Sequence, residues 1–196
     1  MIPLKRSFFD RKTDIVAREI LGKIIVKKEN NISLFGKIVE TEAYLGEDDP
    51  AAHAFAGRTK RTEVLYGLPG HAYVFRLRAY YCLNIVAESE NSPGCVLIRA
   101  LEPLEGFDLM VKRRGVDKKD LVNLCNGPGK LCQAFNINLN HYGCDLTNSD
   151  SELFIIENEN ERIEIITTPR IGISKATDWN QRYIIKSNPY ISKYKF

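Results

Sequence analysis

At 196 residues the chain can bury one sizeable core and is short for two average domains. Its composition, 44% apolar and 27% charged, excludes a disordered or fibrous chain, and a net charge of +3 permits an anionic partner without requiring one. Five cysteines with no C-x-x-C pair argue against both a fully paired disulfide framework and a zinc site, so no metal is expected. The first twelve residues, MIPLKRSFFDRK, lack a signal-peptide apolar run and no stretch reaches membrane-spanning length; a cytoplasmic protein without a membrane partner is expected.

Arg11–Leu21 reads as a helix, with Ile15, Val16, Ile20 and Leu21 as its apolar stripe and Gly22 as its stop. Lys23–Lys28 and Ile32–Tyr44 read as a β-hairpin about Glu29-Asn30-Asn31. The second of these strands carries two glutamates inside an apolar run. If it is extended, Glu40, Glu42 and Tyr44 share a face, either as a charged strand on a solvated surface or as part of a base-sized pocket with a water-activating carboxylate. Asp48-Asp49-Pro50 is a helix-start signal, and the short helix it opens would carry His53. Arg58, Lys60 and Arg61 crowd the next loop, which is either solvated or a contact for phosphates.

Ala72–Ala87 is β-prone and aromatic, with a bend or hairpin tip at Arg76-Leu77-Arg78, because two arginines so close in a central strand would be costly to bury. A leucine between them reads either as a wedge into stacked bases or as a core side chain with snorkelling neighbours. Asn84 is unusual within a strand. Cys95–Ala100 is a strand whose single Arg99 needs an acidic partner. Gly106–Arg114 reads as a helix, and the NGPG turn at Asn126–Gly129 feeds a short helix, Lys130–Phe135, with Lys130 in its first turn. Strands at Leu153–Ile156, Arg162–Thr167, Arg170–Ser174 and Arg182–Lys186 follow, then a lysine-bearing tail. The expected architecture is α+β: one domain over residues 1–196, built on a curved, mainly antiparallel, open-barrel-like sheet with peripheral helices.

ETEAYLG with AAH seven residues after its tyrosine, PGHAYVF, YYCLNIV, GCVLIRALEPLEG and NGPGKLCQAF occur in this order. In these segments the chain resembles the alkyladenine (methylpurine) DNA glycosylase family, from about residue 7 to residue 192. The resemblance implies a monofunctional base-excision enzyme, acting as a monomer and without cofactor. It would turn a damaged purine out of double-stranded DNA, whether N-alkylated adenine or guanine, ethenoadenine or hypoxanthine. Glu42 matches the water-activating glutamate. Tyr44, His53 and Phe75 match the pocket walls, Asn84 the residue that clashes with normal guanine, and Arg99 a residue near the flipped nucleotide. Lys130 matches a phosphate contact, and Arg58, Lys60 and Arg61 are grouped with it as further candidates.

The hairpin tip departs from the family's pattern. Where a Y-G-M type wedge is usual, this chain has Arg76-Leu77-Arg78-Ala79, one residue shorter, so Leu77 is the first candidate wedge and Arg76 and Arg78 the next. Thr62 stands where asparagine is common, and Phe75 lacks a tyrosine's hydroxyl. Two other readings remain open from the residues alone. One is a carbohydrate glycosidase with Glu40 and Glu42 as a carboxylate pair roughly 6–7 Å apart at Cβ. The other is a non-catalytic DNA-binding module.

Overall fold

A computed structural model describes residues 1–158 and 162–192. Its helices are α1 (Arg6–Phe9), α2 (Thr13–Glu19), α3 (Phe107–Arg114) and α4 (Pro128–Ala134). Its strands are β1 (Ile24–Glu29), β2 (Ile32–Tyr44), β3 (Ala72–Leu77), β4 (Tyr80–Ala87), β5 (Gly94–Glu105), β6 (Leu153–Ile156), β7 (Ile165–Thr168) and β8 (Arg182–Ile185). They form one antiparallel sheet that runs β3-β4-β5-β2-β1-β6, with β8 also on β2 and β7 on β8. The sheet does not close, so the α+β, open-barrel-like expectation holds.

The long strand β2 is the spine. Its first half pairs with β1, its last residues with β8, and almost its whole length with β5 along the opposite edge. One edge therefore serves two partners in succession, which bends the sheet. The register against β5 shifts on both sides of Glu40, and an irregularity of this kind re-aims the side chains that follow. Both faces of the strand's end are covered. Thr41 is buried and donates to the Ala17 carbonyl of α2 at 2.6 Å, while Glu40 and Glu42 point the other way and are also fully buried. The solvated-strand reading is thereby excluded. Two apolar clusters result: a main core around Phe9, Val16, Ile38, Leu83, Ile98 and Phe135, and a smaller one around Leu65, Tyr66, Tyr73 and Val86 that backs Tyr44 and Phe75.

Several sequence-based expectations need correction. The helix expected at Asp48-Asp49-Pro50 is two 3-10 turns, Gly46–Asp48 and His53–Ala56. Asp49 does not cap a helix because its carboxylate is taken by the buried guanidinium of Arg170. The strand expected at Arg170–Ser174 is a run of bends without sheet partners among the described residues, and the one expected at Arg162–Thr167 is β7, Ile165–Thr168. The first helix is shorter than expected and preceded by α1; the 95–100 strand is longer, continuing to Glu105. The lysines of the tail, Lys193 and Lys195, lie outside the described residues. Among the described residues no helix is long and apolar enough to cross a membrane.

Candidate active site

A cavity of about 520 Å³, well within the usual size for a small-molecule pocket, opens at the end of β2 between the hairpin β3–β4 and the bends that follow β7. Tyr44, His53, Phe75, Leu77, Asn84 and Arg99, six of the residues singled out from the sequence, line it together with Tyr73. The fold explains the convergence. Phe75 and Leu77 project from one face of β3, Asn84 stands opposite Tyr73 across the β3–β4 ladder, and Arg99 comes from β5 beside Glu40 and Glu42 of β2.

Glu42 lies behind this lining and is held by three groups that face the cavity. Its Oε2 accepts from the Tyr44 hydroxyl at 2.9 Å and lies 3.2 Å from the Arg99 guanidinium; its Oε1 accepts from the Ile171 N–H at 2.7 Å. Burial pushes its pKa up from the ordinary carboxylate value. Arg99, the Ile171 N–H and Tyr44 hold it down in part. Each carboxylate oxygen can accept twice, so Oε1 keeps a lone pair free for one further donor, such as a water. Burial, the neighbouring carboxylate and their hydrogen bond also push the Tyr44 hydroxyl far up, so it stays protonated and donates.

Glu40 has a different fate. It accepts from Arg99 Nε at 3.0 Å, from Arg182 Nε at 2.7 Å, and from the backbone N–H and hydroxyl of Ser192 at 2.6 and 2.7 Å. Two of its partners, Arg182 and Ser192, lie off the cavity lining, so Glu40 is a support for Arg99 rather than a second reactive group. The paired-carboxylate glycosidase reading loses its partner on this geometry. Arg99 is disfavoured by burial, yet Glu42 and Glu40 outweigh that and raise its pKa, so it carries a firm positive charge at the inner end of the cavity.

The aromatic walls are fixed by polar contacts at their edges. His53 packs edge-on against Phe75, with ring centroids 4.6 Å apart. Its Nε2 lies 3.2 Å from Arg61 and its Nδ1 2.8 Å from the Tyr73 hydroxyl. A guanidinium only donates, so Nε2 is the acceptor and the proton sits on Nδ1, donated to Tyr73. Burial and the Arg61 charge push the imidazole down to about 4, which keeps it neutral in this tautomer near neutral pH. Asn84, almost wholly buried, donates its Nδ2 to the Tyr73 carbonyl at 3.1 Å, and this fixes the orientation of its amide.

The expected DNA-facing residues divide. Arg61 folds onto the pocket, its guanidinium 4.9 Å above the Phe75 ring. Arg58 is bound through two nitrogens to Glu63, at 3.1 and 2.7 Å. Lys60 is exposed, and Lys130 donates to Asn126 at 2.7 Å, two residues beyond Pro128 of the cavity wall. At the hairpin tip the turn is Arg78-Ala79, with Arg78 at a φ of 55° and its carbonyl accepting from Arg76 Nε at 2.8 Å. Leu77 stands at the cavity mouth and is 56% exposed. Sequence reasoning missed the far wall, Ile171–Lys175, and the Arg170–Asp49 pair behind it. A lone arginine after proline gave no periodic signal to find.

This buried carboxylate behind an aromatic slot, with cations at its inner end and its rim, occurs in a chain that its relatives make a DNA glycosylase, a hydrolase of N-glycosyl bonds. The sequence model described as methylpurine-DNA glycosylase matches residues 7–189. The chain belongs to that family. It is 47% identical to a protein of Clostridium acetobutylicum, with 98% of each chain covered. It is 41% identical to one of Koribacter versatilis (98% of this chain, 94% of the other) and 44% identical to one of Clostridium botulinum (96% and 98%). All three are described, provisionally, as 3-methyladenine DNA glycosylases.

Proposed function

We propose that the protein turns a damaged purine out of double-stranded DNA into this cavity and hydrolyses its N-glycosidic bond with a water deprotonated by Glu42, leaving an abasic site. The observation that carries this reading is the fully buried Glu42 carboxylate, held by Tyr44, Arg99 and the Ile171 N–H directly behind a cavity with room for a purine. A base within the duplex cannot be reached, and turning it out costs a few kcal/mol. Stacking on Tyr44 and Phe75 returns about 1–3 kcal/mol per stacked base, and we assign to Leu77, exposed at the cavity mouth, the filling of the gap left in the helix.

Cleavage develops positive charge on the sugar. A carboxylate whose pKa is raised by burial is a better base toward water than an exposed one, and once ionised it also stabilises that charge. N-alkylated adenine, the substrate class in the relatives' names, leaves as a neutral base. Hypoxanthine and ethenoadenine are further candidates that need a proton or hydrogen bond at the purine. We assign to Asn84, its amide held by the Tyr73 carbonyl, the rejection of the 2-amino group of guanine.

The test is excision from duplexes that each carry one lesion, read as strand breaks after alkali, for wild type and Glu42→Gln. General-base loss predicts a fall of about 10²–10⁴-fold with lesion binding retained. Equal excision by the two proteins overturns the role of Glu42 and places the base elsewhere, and binding without excision by either overturns the reading in favour of a non-catalytic module.

A further inference from the structure

The Arg170 side chain is wholly buried, and so is that of Asp49, which it binds through both terminal nitrogens. One of those nitrogens also donates to the Ala43 carbonyl at 2.9 Å, and Nε has no partner among the described residues. Burying a charge pair costs desolvation that well-packed apolar side chains would avoid, so stability alone is a weak reason for this arrangement. Its geometry supplies a better one. The guanidinium lies 4.7 Å above one face of the Tyr44 ring, so the ring offers its other face to the cavity. The next peptide is the Ile171 N–H that holds Glu42 Oε1. Asp49 accepts from the backbone N–H of Leu45 at 3.1 Å and of Ala51 at 3.0 Å, which fixes the turn leading to His53. One ion pair thus ties together the end of β2, the turn at 49–53 and the bends at 170–175.

We propose that Arg170 is a positioning residue of the excision reaction: clamped by Asp49, it sets the Ile171 N–H against Glu42 and the Tyr44 ring against the incoming base. The inference rests on Glu42 being the base. The segment at 170–175 has no sheet partners among the described residues, so without the clamp its N–H would have no fixed place. Misplacing a catalytic group by about 1 Å can cost on the order of 100-fold in rate.

The test uses three variants, Arg170→Gln, the double Asp49→Asn/Arg170→Gln, which leaves no buried charge unpaired, and Arg170→Lys, which keeps the cation. Each is assayed by single-turnover excision of hypoxanthine across a pH range, beside binding to a duplex with an uncleavable abasic analogue. The two glutamine variants are expected to lose about 100-fold in saturated rate while analogue binding holds, the pattern of a lost transition-state interaction. Their acid limb should move to higher pH, because Glu42 loses an N–H donor and a neighbouring cation. Arg170→Lys should recover part of the rate and of the shift; if the glutamine variants do not fold, it carries the test alone, with a smaller loss and a shift of the same sign. An unmoved acid limb, with the rate loss matched by a smaller active fraction, makes the pair merely structural and overturns the proposal. Glu42→Gln run alongside separates the failures. If it is inactive while the Arg170 variants are normal, only this inference falls; if it is active, the reading of Glu42 falls first.

Discussion

The inner end of the cavity and the hairpin tip at its mouth are built on opposite rules. At the inner end, Glu40, Glu42, Arg99 and Arg182 are all buried and nearly every polar atom has an assigned partner. At the tip, Arg76, Leu77, Arg78, Ala79 and Tyr80 are exposed, and the one side-chain hydrogen bond within it runs from Arg76 to the Arg78 carbonyl. Bond-breaking chemistry gains from groups that need no rearrangement as charge develops, and a buried network supplies that. Holding DNA open needs side chains that are free to enter the stack, and a packed tip could not release them. The difference teaches that stability and function should separate between the two regions when residues are changed one at a time.

Arg99→Met should give the largest effect on stability. It leaves Glu42 without its direct cation and Glu40 with Arg182 alone among the described residues, so one buried carboxylate charge is uncompensated, and breaking a buried ion pair from one side costs about 3–5 kcal/mol. Melting should therefore fall by roughly 10 °C; a loss under about 1 kcal/mol would mean the network is hydrated and the contrast is wrong. Leu77→Ala should do the reverse, leaving melting within about 0.5 kcal/mol of wild type. Its single-turnover excision should nevertheless drop about tenfold, the equivalent of roughly 1.4 kcal/mol of wedge contact. Unchanged excision would discard Leu77 as the wedge and pass the role to Arg76 or Arg78.

Smaller effects sharpen the rim. Lys60→Ala should lower the log–log salt slope of DNA binding by about 1, the signature of one lost phosphate contact. Arg58→Ala should lower it less, because Glu63 already neutralises that guanidinium. The smallest effect expected is that of His53→Gln on the pH dependence of stability, because His53 is exposed at the cavity rim and solvent screens the shift. The folded imidazole is held down to about 4 against an ordinary 6.5, so the unfolded chain takes up its proton first as the pH falls. The contribution of the neutral ring is therefore complete above about 6.5 and lost as the pH drops toward 4. The variant should flatten the melting curve over that window. An unaltered slope would mean the ring is free to charge in the folded protein.

Much of this site was legible before the structure. Strand alternation placed Glu40, Glu42 and Tyr44 on one face, and a lone Arg99 in an apolar strand called for the acidic partners it has. The motif resemblance separated the two glutamates, and the geometry supplies a physical reason for the separation: Glu40 is held by Arg182 and Ser192, which lie off the cavity, as well as by Arg99, while all three groups that hold Glu42 line it. What was not legible depends on contacts distant in sequence. Asp49 carries a helix-start pattern, and only its encounter with Arg170, 121 positions later, turns it into half of an ion pair. Arg61 reads as part of a basic loop, and only the fold lays it over Phe75. Periodicity reports on local faces; it cannot report which loop will close over them.

The measurement that bears most directly on the central claim is the single-turnover pH–rate profile for hypoxanthine excision by wild type and Glu42→Gln. With Glu42 as the base, wild type shows an acid limb at a pH above the ordinary carboxylate range, as burial of that group requires. In Glu42→Gln the rate should fall by about 10²–10⁴-fold and that limb should vanish. A variant that keeps the wild-type rate together with its acid limb would contradict the account, and would place the base elsewhere in the cavity.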